Sequence, residues 1–238
     1  MGKVSVRGIV LREYDSSETD KKLVLLTKDT GKISVSARGA KSIKSRFHSS
    51  AQTFCYSDFM LYRGSNFYAV TQAEPITNFS MYYTSLDKLL YGTYFLELID
   101  KTLMNGQEAN NIMLLLLKSL SKLRNAHPKK ISAVFQLRLL DLLGFGLNPE
   151  TCANCGDKLD NLYFSPHMGF ICMQCEGAKS RVSPAIRNTI IYITKNDLDR
   201  CFMFNITSEL LEELGNIAEN TFKYQLEVNT NSLLLLNS

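Results

Sequence analysis

Two cysteine pairs, Cys152-Ala-Asn-Cys155 and Cys172-Met-Gln-Cys175, stand sixteen residues apart in a short stretch of chain with little else to fold around. A C-x2-C turn brings two thiolates to one side of a tight loop. Two such turns close a tetrahedron of sulfur around one ion, most often zinc. Gly156 and Gly177 lie beside the two turns, where backbone freedom is needed. Four sulfur ligands leave no position for water or substrate, so one structural Zn2+ per chain is expected, and not a catalytic one. Disulfides are a poor alternative in a cytosolic chain, and an iron–sulfur cluster calls for closer spacing. The zinc deaminase pattern requires His-x-Glu ahead of Pro-Cys-x-x-Cys, whereas Thr151 precedes Cys152 and the chain has no His-x-Glu. His167 lies between the pairs and is an alternative fourth ligand. Cys55 and Cys201 read as lone thiols in apolar surroundings. Residues 148–180 are too few to build a core of their own, so this module is expected to depend on its metal.

The rest of the chain is that of an ordinary globular protein, with 45% hydrophobic and 21% charged residues in 238. Its longest apolar run, Ile112–Leu117, ends at Lys118, far short of a membrane span. The amino terminus carries charges where an export signal needs an apolar stretch, so a cytoplasmic location is expected.

Residues 1–75 read as β. Val4, Val6 and Val10 alternate with Ser5 and Arg7, and Ile33, Val35 and Ala37 alternate with Ser34 and Ser36, the period of a half-buried strand. Lys22–Thr27 forms a further strand behind the Asp29-Thr30-Gly31 turn, and Thr53–Arg63 with Phe67–Ala73 forms a hairpin around Gly64-Ser65-Asn66. Five short strands, with the longest break at 39–51 between the third and fourth, fit an OB-fold. After Pro75 the pattern becomes helical over 84–104, 107–125 and 128–143, with Leu86, Leu89, Leu90 and Leu96 on one face of the first. In the third, Val134, Leu137, Leu140 and Leu143 share a face, with Gln136, Arg138 and Asp141 between them. Pro128 suits a helix start, and Gly144 and Gly146 an end. Ser183-Pro184 opens a helix to about Ile193, and a last helix over 208–226 turns Leu210, Leu214, Ile217 and Phe222 inward. The Leu233–Leu236 tail is expected to dock on the bundle. The expected architecture is thus α+β and multidomain. A five-stranded OB-fold barrel spans 1–78, a helical bundle 79–147 and 181–238, and a four-cysteine zinc module is inserted at 148–180.

Charge is unevenly spread. The first eighty residues carry 12 basic and 7 acidic side chains, whereas residues 181–238 carry 5 and 7. Between Asp29 and Asp58 there is no acid, yet Lys32, Arg38, Lys41, Lys44 and Arg46 fall there, and Phe47, Phe54, Tyr56, Phe59, Tyr62, Phe67 and Tyr68 follow closely. Single-strand binders pair a cationic groove with aromatic faces on which bases stack. Each aromatic taken singly is more readily a core residue, but the charge run as a whole points to nucleic acid. Arg38, Lys41, Lys44 and Arg46 are the first candidates for phosphate contact, with Lys21, Arg12 and Arg63 behind them. The cations Lys118, Lys122, Arg124, Lys129 and Lys130 of the helical part are the fallback. No G-x4-G-K-[ST], G-x-S-x-G, H-E-x-x-H or sustained G-x-G-x-x-G occurs, so neither an enzyme nor a small-molecule substrate is expected.

An ordered set of fragments resembles the bacterial RecO family of recombination mediators. It comprises Gly8-Ile-Val-Leu-Arg12, Glu18-Thr-Asp-Lys21, Leu25-Leu-Thr27, Gly31-Lys-Ile-Ser-Val35, Ala37-Arg-Gly-Ala40, Lys44-Ser-Arg-Phe47, Leu61-Tyr-Arg-Gly64, Gln72-Ala-Glu74 and Leu142-Leu-Gly-Phe-Gly-Leu147 ahead of the first cysteine pair. The resemblance implies a barrel–helix–zinc order and a non-enzymatic role. It implies binding of single- and double-stranded DNA, annealing of complementary strands, and, with RecR, help in loading RecA onto strands coated by single-stranded DNA-binding protein. The carboxyl-terminal tail of that coating protein is an implied partner, and association with the nucleoid during repair is implied too. Ser42-Ile43 stands where relatives often carry further cations. A zinc-stabilised adaptor for an acidic protein tail, or an RNA-binding OB protein, is the alternative from the residues alone.

Overall fold

A computed structural model describes residues 2–177 and 179–236. The chain forms two compact units, one running to Arg124 and including the chain from Leu234, the other spanning Asn125–Leu233.

The first unit opens with five strands: β1 (Gly2–Asp15), β2 (Lys21–Thr27), β3 (Gly31–Ala37), β4 (Cys55–Arg63) and β5 (Tyr68–Asn78). They close a barrel in the order β1-β2-β3-β5-β4, the OB-fold arrangement. β1 serves two neighbours by bending at an irregularity between Val10 and Arg12, pairing with β4 along its first half and β2 along its second. The seam is short and parallel, Val35 beside Tyr68 and Ser36 beside Ala69. Val6, Val10, Leu23, Leu25, Ile33, Val35, Phe59, Leu61 and Val70 fill the interior. The period-two reading therefore holds for β3, β4 and the first half of β1, whereas Ile9, Val10 and Leu11 are all buried. β2 departs from it: Leu23 to Thr27 are all buried, because its outer side is covered by α2 (Asn110–Leu123).

Two strand limits differ from expectation. Phe54 is buried in a left-handed conformation at φ 71°, which ends the pairing and starts β4 at Cys55 instead of Thr53. β5 runs through Pro75 to Asn78, because Pro75 stands opposite Ser57 where the register shifts and no ladder donor is needed. A 3-10 turn (Phe79–Tyr82) leads to α1 (Leu86–Thr102), capped by Ser85, which accepts from the Lys88 amide. The buried side of α1 is Tyr91, Tyr94, Phe95, Leu96, Leu98 and Ile99, whereas Leu86 and Leu89 are exposed in its first turn. The helical face expected from those leucines is therefore rotated toward the aromatics, whose larger area favours their burial.

The second unit holds α3 (Pro128–Leu143), α4 (Pro184–Lys195) and α5 (Ser208–Gln225), with α3 packed on both others. Pro128 and Pro184 occupy first-turn positions, and Gly144 caps α3 at φ 87°. α3 is buried on nearly every side. Gln136 does not face water as its polarity predicts but donates to the Ser132 hydroxyl inside, and Arg138 donates to the carbonyls of Ile193, Thr194 and Asn196 at the end of α4. In α5 the inward residues are Leu211, Leu214, Ile217, Ala218 and Phe222, with Leu210 half-exposed. The tail is a short helix, α6 (Asn231–Leu236), in which Ser232 is buried, Leu233 and Leu236 are half-buried, and Leu234 and Leu235 are exposed. Among the described residues no helix is long and apolar enough to cross a membrane.

Candidate nucleic-acid interface and metal centre

The link between β3 and β4 is a chain of turns with two chemically different sides. Underneath, Ala40, Phe47 and Ala51 join the barrel core and close one end of it. On top, Arg38, Lys44 and Arg46 are exposed and form no ion pair among the described residues. Local bonds hold the turns in place: the amides of Ser45 and His48 donate to the carbonyls of Ser42 and Ser45, and that of Ala51 to Phe47 at 2.8 Å. The link is also tied to the β1–β2 turn, since the Lys41 amide donates to the Thr19 carbonyl and the Gly39 amide to Asp20 at 2.8 Å. That amide bond, with the Thr19 hydroxyl, holds the Asp20 carboxyl below the usual carboxylate range. The Arg46 guanidinium lies 4.8 Å from the centroid of the Phe47 ring that anchors it. The Arg38 charge also acts on the Asp20 carboxylate, whereas Lys44 and Arg46 have no ion pair among the described residues; cations displayed in this way on an ordered base form a surface suited to phosphate.

The other candidate cations divide. Lys41 pairs with Asp15 at 2.9 Å. Lys21 is half-buried against Glu13, whereas Arg12 reaches Asp100 of α1 at 3.3 Å and stays exposed. Arg63 is exposed at the far end of the barrel, 6.0 Å from the Tyr68 ring centroid. Lys32 is buried and donates to Asp100 of α1. Asp100 carried no sequence signal for this role, because two residues 68 apart meet only in the fold. The outer side of β2 and β3, where OB-folds commonly bind oligonucleotides, is thereby narrowed: Val24 and Leu26 are covered, and Ser34 and Ser36 remain half-exposed. The aromatics also separate. Phe47, Phe54 and Phe59 are buried, Tyr56 and Tyr68 are half-buried, and Tyr62 and Phe67 are exposed.

In the second unit the four cysteines of the two pairs come together, their Sγ atoms all within 4.8 Å of one another. Cys152 and Cys175 are 3.7 Å apart, Cys155 and Cys172 3.8 Å, and Cys172 and Cys175 3.5 Å. These separations exclude disulfides, and all six cysteines are free. They match the edge of about 3.8 Å that four sulfurs make at 2.3 Å from a central zinc. The set could hold a metal ion and is compatible with zinc. Gly156 at φ 79° and Gly177 at φ 131° provide the turns beside each pair. The Cys172 amide donates to the Cys152 sulfur at 3.3 Å and Asn154 Nδ2 to the Cys175 sulfur at 3.2 Å. Although burial raises it, the Cys152 thiol is held down to about 6 by the amides of Cys155, Cys172 and Asn154. His167 is not in the cluster; its ring meets that of Tyr224 edge to face, the centroids 4.8 Å apart. A three-stranded sheet, β6 (Tyr163–Ser165), β7 (Gly169–Ile171) and β8 (Ser180–Arg181), stands beside the cysteines, with Phe164 and Phe170 edge to face.

Two family models together match nearly the whole chain. Residues 1–79 match the family Recombination protein O N terminal, and residues 83–234 match Recombination protein O C terminal. The chain belongs to the RecO family. DNA repair protein RecO of Acetivibrio thermocellus is 30% identical over 240 residues, covering 98% of this chain and 96% of that protein. RecO of Alkaliphilus metalliredigens is 31% identical, with 97% of each chain covered. RecO of Clostridium novyi is 30% identical over 97% of this chain. Membership places this RecO-family protein in DNA repair and recombination, which the OB barrel and its cationic link suit physically.

Proposed function

We propose that this chain is a recombination mediator that binds single- and double-stranded DNA, anneals complementary strands without catalysis, and acts with RecR to help load RecA onto strands coated by single-stranded DNA-binding protein, in the cytoplasm at the nucleoid. The observation that carries the DNA reading is the β3–β4 link, apolar beneath and cationic above. Family membership supports the named partners, including the tail of the coating protein. Annealing runs downhill once two backbones are neutralised and brought together, so a cationic surface suffices. Cys152, Cys155, Cys172 and Cys175 would hold one Zn2+, which supplies cross-linking and no reaction chemistry.

Salt dependence tests the link. If Arg38, Lys44 and Arg46 each neutralise one phosphate, they add about −2 to the log–log slope of single-strand affinity against salt, and about −3 if Lys41 leaves Asp15 to join them. Replacing Arg38 and Arg46 with alanine is expected to flatten the slope by roughly one to one and a half units while leaving folding and metal content intact. Lys195 and Arg200 are exposed in the acidic carboxyl-terminal part, so removing them is the control for net charge. Equal flattening by both double variants would reduce the site to general basicity. An unchanged slope in the Arg38/Arg46 variant would move the DNA to the cations around Lys118–Arg124 or Lys129–Lys130. Competition with RNA of the same sequence separates a DNA protein from an RNA-binding one. Annealing is also expected to proceed equally with and without ATP, and a rate that needed hydrolysis by the pure protein would contradict the non-catalytic role.

A further inference from the structure

We propose that the β4–β5 turn carries a base-stacking platform, Phe67 with Tyr62, which takes the unpaired bases of a single strand at the end of β4 away from the β3–β4 link. This rests on the single-strand binding proposed above and adds a second, chemically different contact to it.

Phe67 is 51% exposed and Tyr62 37% exposed at the tip of a hairpin. Large rings in such a position ordinarily move freely, but these are held. Their centroids are 6.0 Å apart at 44°. Phe67 also lies against the backbone of Gly64, close enough that a Cβ there would stand 2.3 Å from the ring. The Gly64 amide donates to the Phe67 carbonyl at 2.9 Å, closing the turn. Glycine at 64 therefore provides the seat, and the outer part of the ring is presented in a fixed direction without being buried. An orientation fixed in advance reduces the entropy lost on binding.

The surroundings select the ligand. Arg63 is exposed on the turn, and Lys3 is exposed directly across from Tyr62 in the β1–β4 register. From Phe59 to Ala73 the chain has no acidic residue, and Ser65 and Asn66 complete the tip. A protein-docking patch would need a continuous apolar area, whereas here two rings stand among cations and small polar groups. Rings flanked by cations suit a nucleobase beside its phosphate, and every base has a face to offer. The path to the β3–β4 link runs along the β3–β5 seam. Phe67 precedes Tyr68, which sits beside Val35, so Arg38 lies about 13 Å further on at 3.3 Å per residue, past the half-exposed Ser34 and Ser36. One short oligonucleotide can touch both ends.

Stacking and charge neutralisation respond differently to salt, which makes the two contacts separable. Phe67→Ala is expected to weaken binding of an oligo(dT) about five-fold or more with the salt slope unchanged, and to leave binding of an abasic oligonucleotide of equal length as it was. The chain contains no tryptophan, so Phe67→Trp places a single indole on the platform. Its emission is expected to be quenched by oligo(dT) and not by the abasic strand. Thermal melting of each variant, expected within a degree or two of the parent, guards against a folding defect. Unchanged oligo(dT) affinity in Phe67→Ala, or an indole blind to saturating oligo(dT), would overturn the platform while leaving the link's salt response, and the DNA reading, in place. If the parent protein bound no single strand at all, both would fall together.

Discussion

Replacing Cys172 with serine is expected to release the metal and unfold the segment between Asn148 and Arg181 while the barrel keeps its own melting transition. Structural zinc contributes an apparent 10–16 kcal/mol to small folds, roughly. The module has little to set against its loss. Its strands are three, three and two residues long. Its buried apolar residues are Leu159, Leu162, Phe164, Phe170 and Ile171, beside the cysteines themselves. Much of the remaining order hangs on the chain around the cluster: the amides of Cys152 and Gly156 donate to the carbonyls of Asp157 and Cys152, that of Ala153 to Phe170 and that of Leu159 to Glu150, and Lys179 donates to the carbonyls of Cys172, Met173 and Cys175. The parent protein, freshly purified and reduced, should contain one zinc per chain by elemental analysis. The variant should contain much less and should lose amide protection over β6 and β7 first. A metal-free parent, or a variant with full zinc and full protection, would remove the metal from the account of this fold.

The cysteine module was legible because its information is local. Two C-x2-C pairs specify a geometry within a few residues, and the structure gathers those four sulfurs and leaves His167 outside. The three tiny strands beside them were not legible, since three residues carry too little periodicity to separate strand from loop. In the barrel, β3, β4 and the first half of β1 followed the alternation of their side chains, but Ile9–Leu11 and Leu23–Thr27 did not, because a strand covered on both faces reads as a plain apolar run. Leu86 and Leu89 look like core residues by spacing alone. They lost their place to Tyr91, Tyr94 and Phe95, a choice made by packing against partners far away in sequence. The cationic link showed itself through the missing acids between Asp29 and Asp58. What the sequence could not say was which cations are already engaged. Lys21, Arg12 and Lys32 find Glu13 and Asp100 only once the strands and α1 are assembled. Likewise seven aromatics near one another gave no way to separate Phe59, inside the barrel, from Phe67 at its rim.

Two glycines with the same backbone angle are expected to differ sharply when replaced by alanine, because only one has a neighbour in the way. Gly31 and Gly39 both sit at φ 67°. A Cβ on Gly31 would stand 1.9 Å from the Gln107 carbonyl oxygen, whereas Gly39 has nothing within 4 Å. Alanine in the left-handed region costs about 1–2 kcal/mol at either position. At Gly31 the collision is with backbone, which cannot rotate aside as a side chain would, and overpacking adds about 1–3 kcal/mol. The same contact holds the α1–α2 connection to the barrel: the Gly106 amide donates to the Lys32 carbonyl at 2.9 Å, and Lys32 bridges to Asn105. Pushing the two backbones apart therefore also strains the buried Lys32–Asp100 bond. Gly39→Ala is expected to lower the melting temperature of the first unit by about 2–6 °C, and Gly31→Ala by on the order of 10 °C. Gly31→Ala should in addition raise hydrogen exchange at the Gly106 amide, which Gly39→Ala leaves protected. Equal losses at the two positions would mean that backbone angle alone sets the cost and that the close approach at Gln107 does not hold the connection to the barrel.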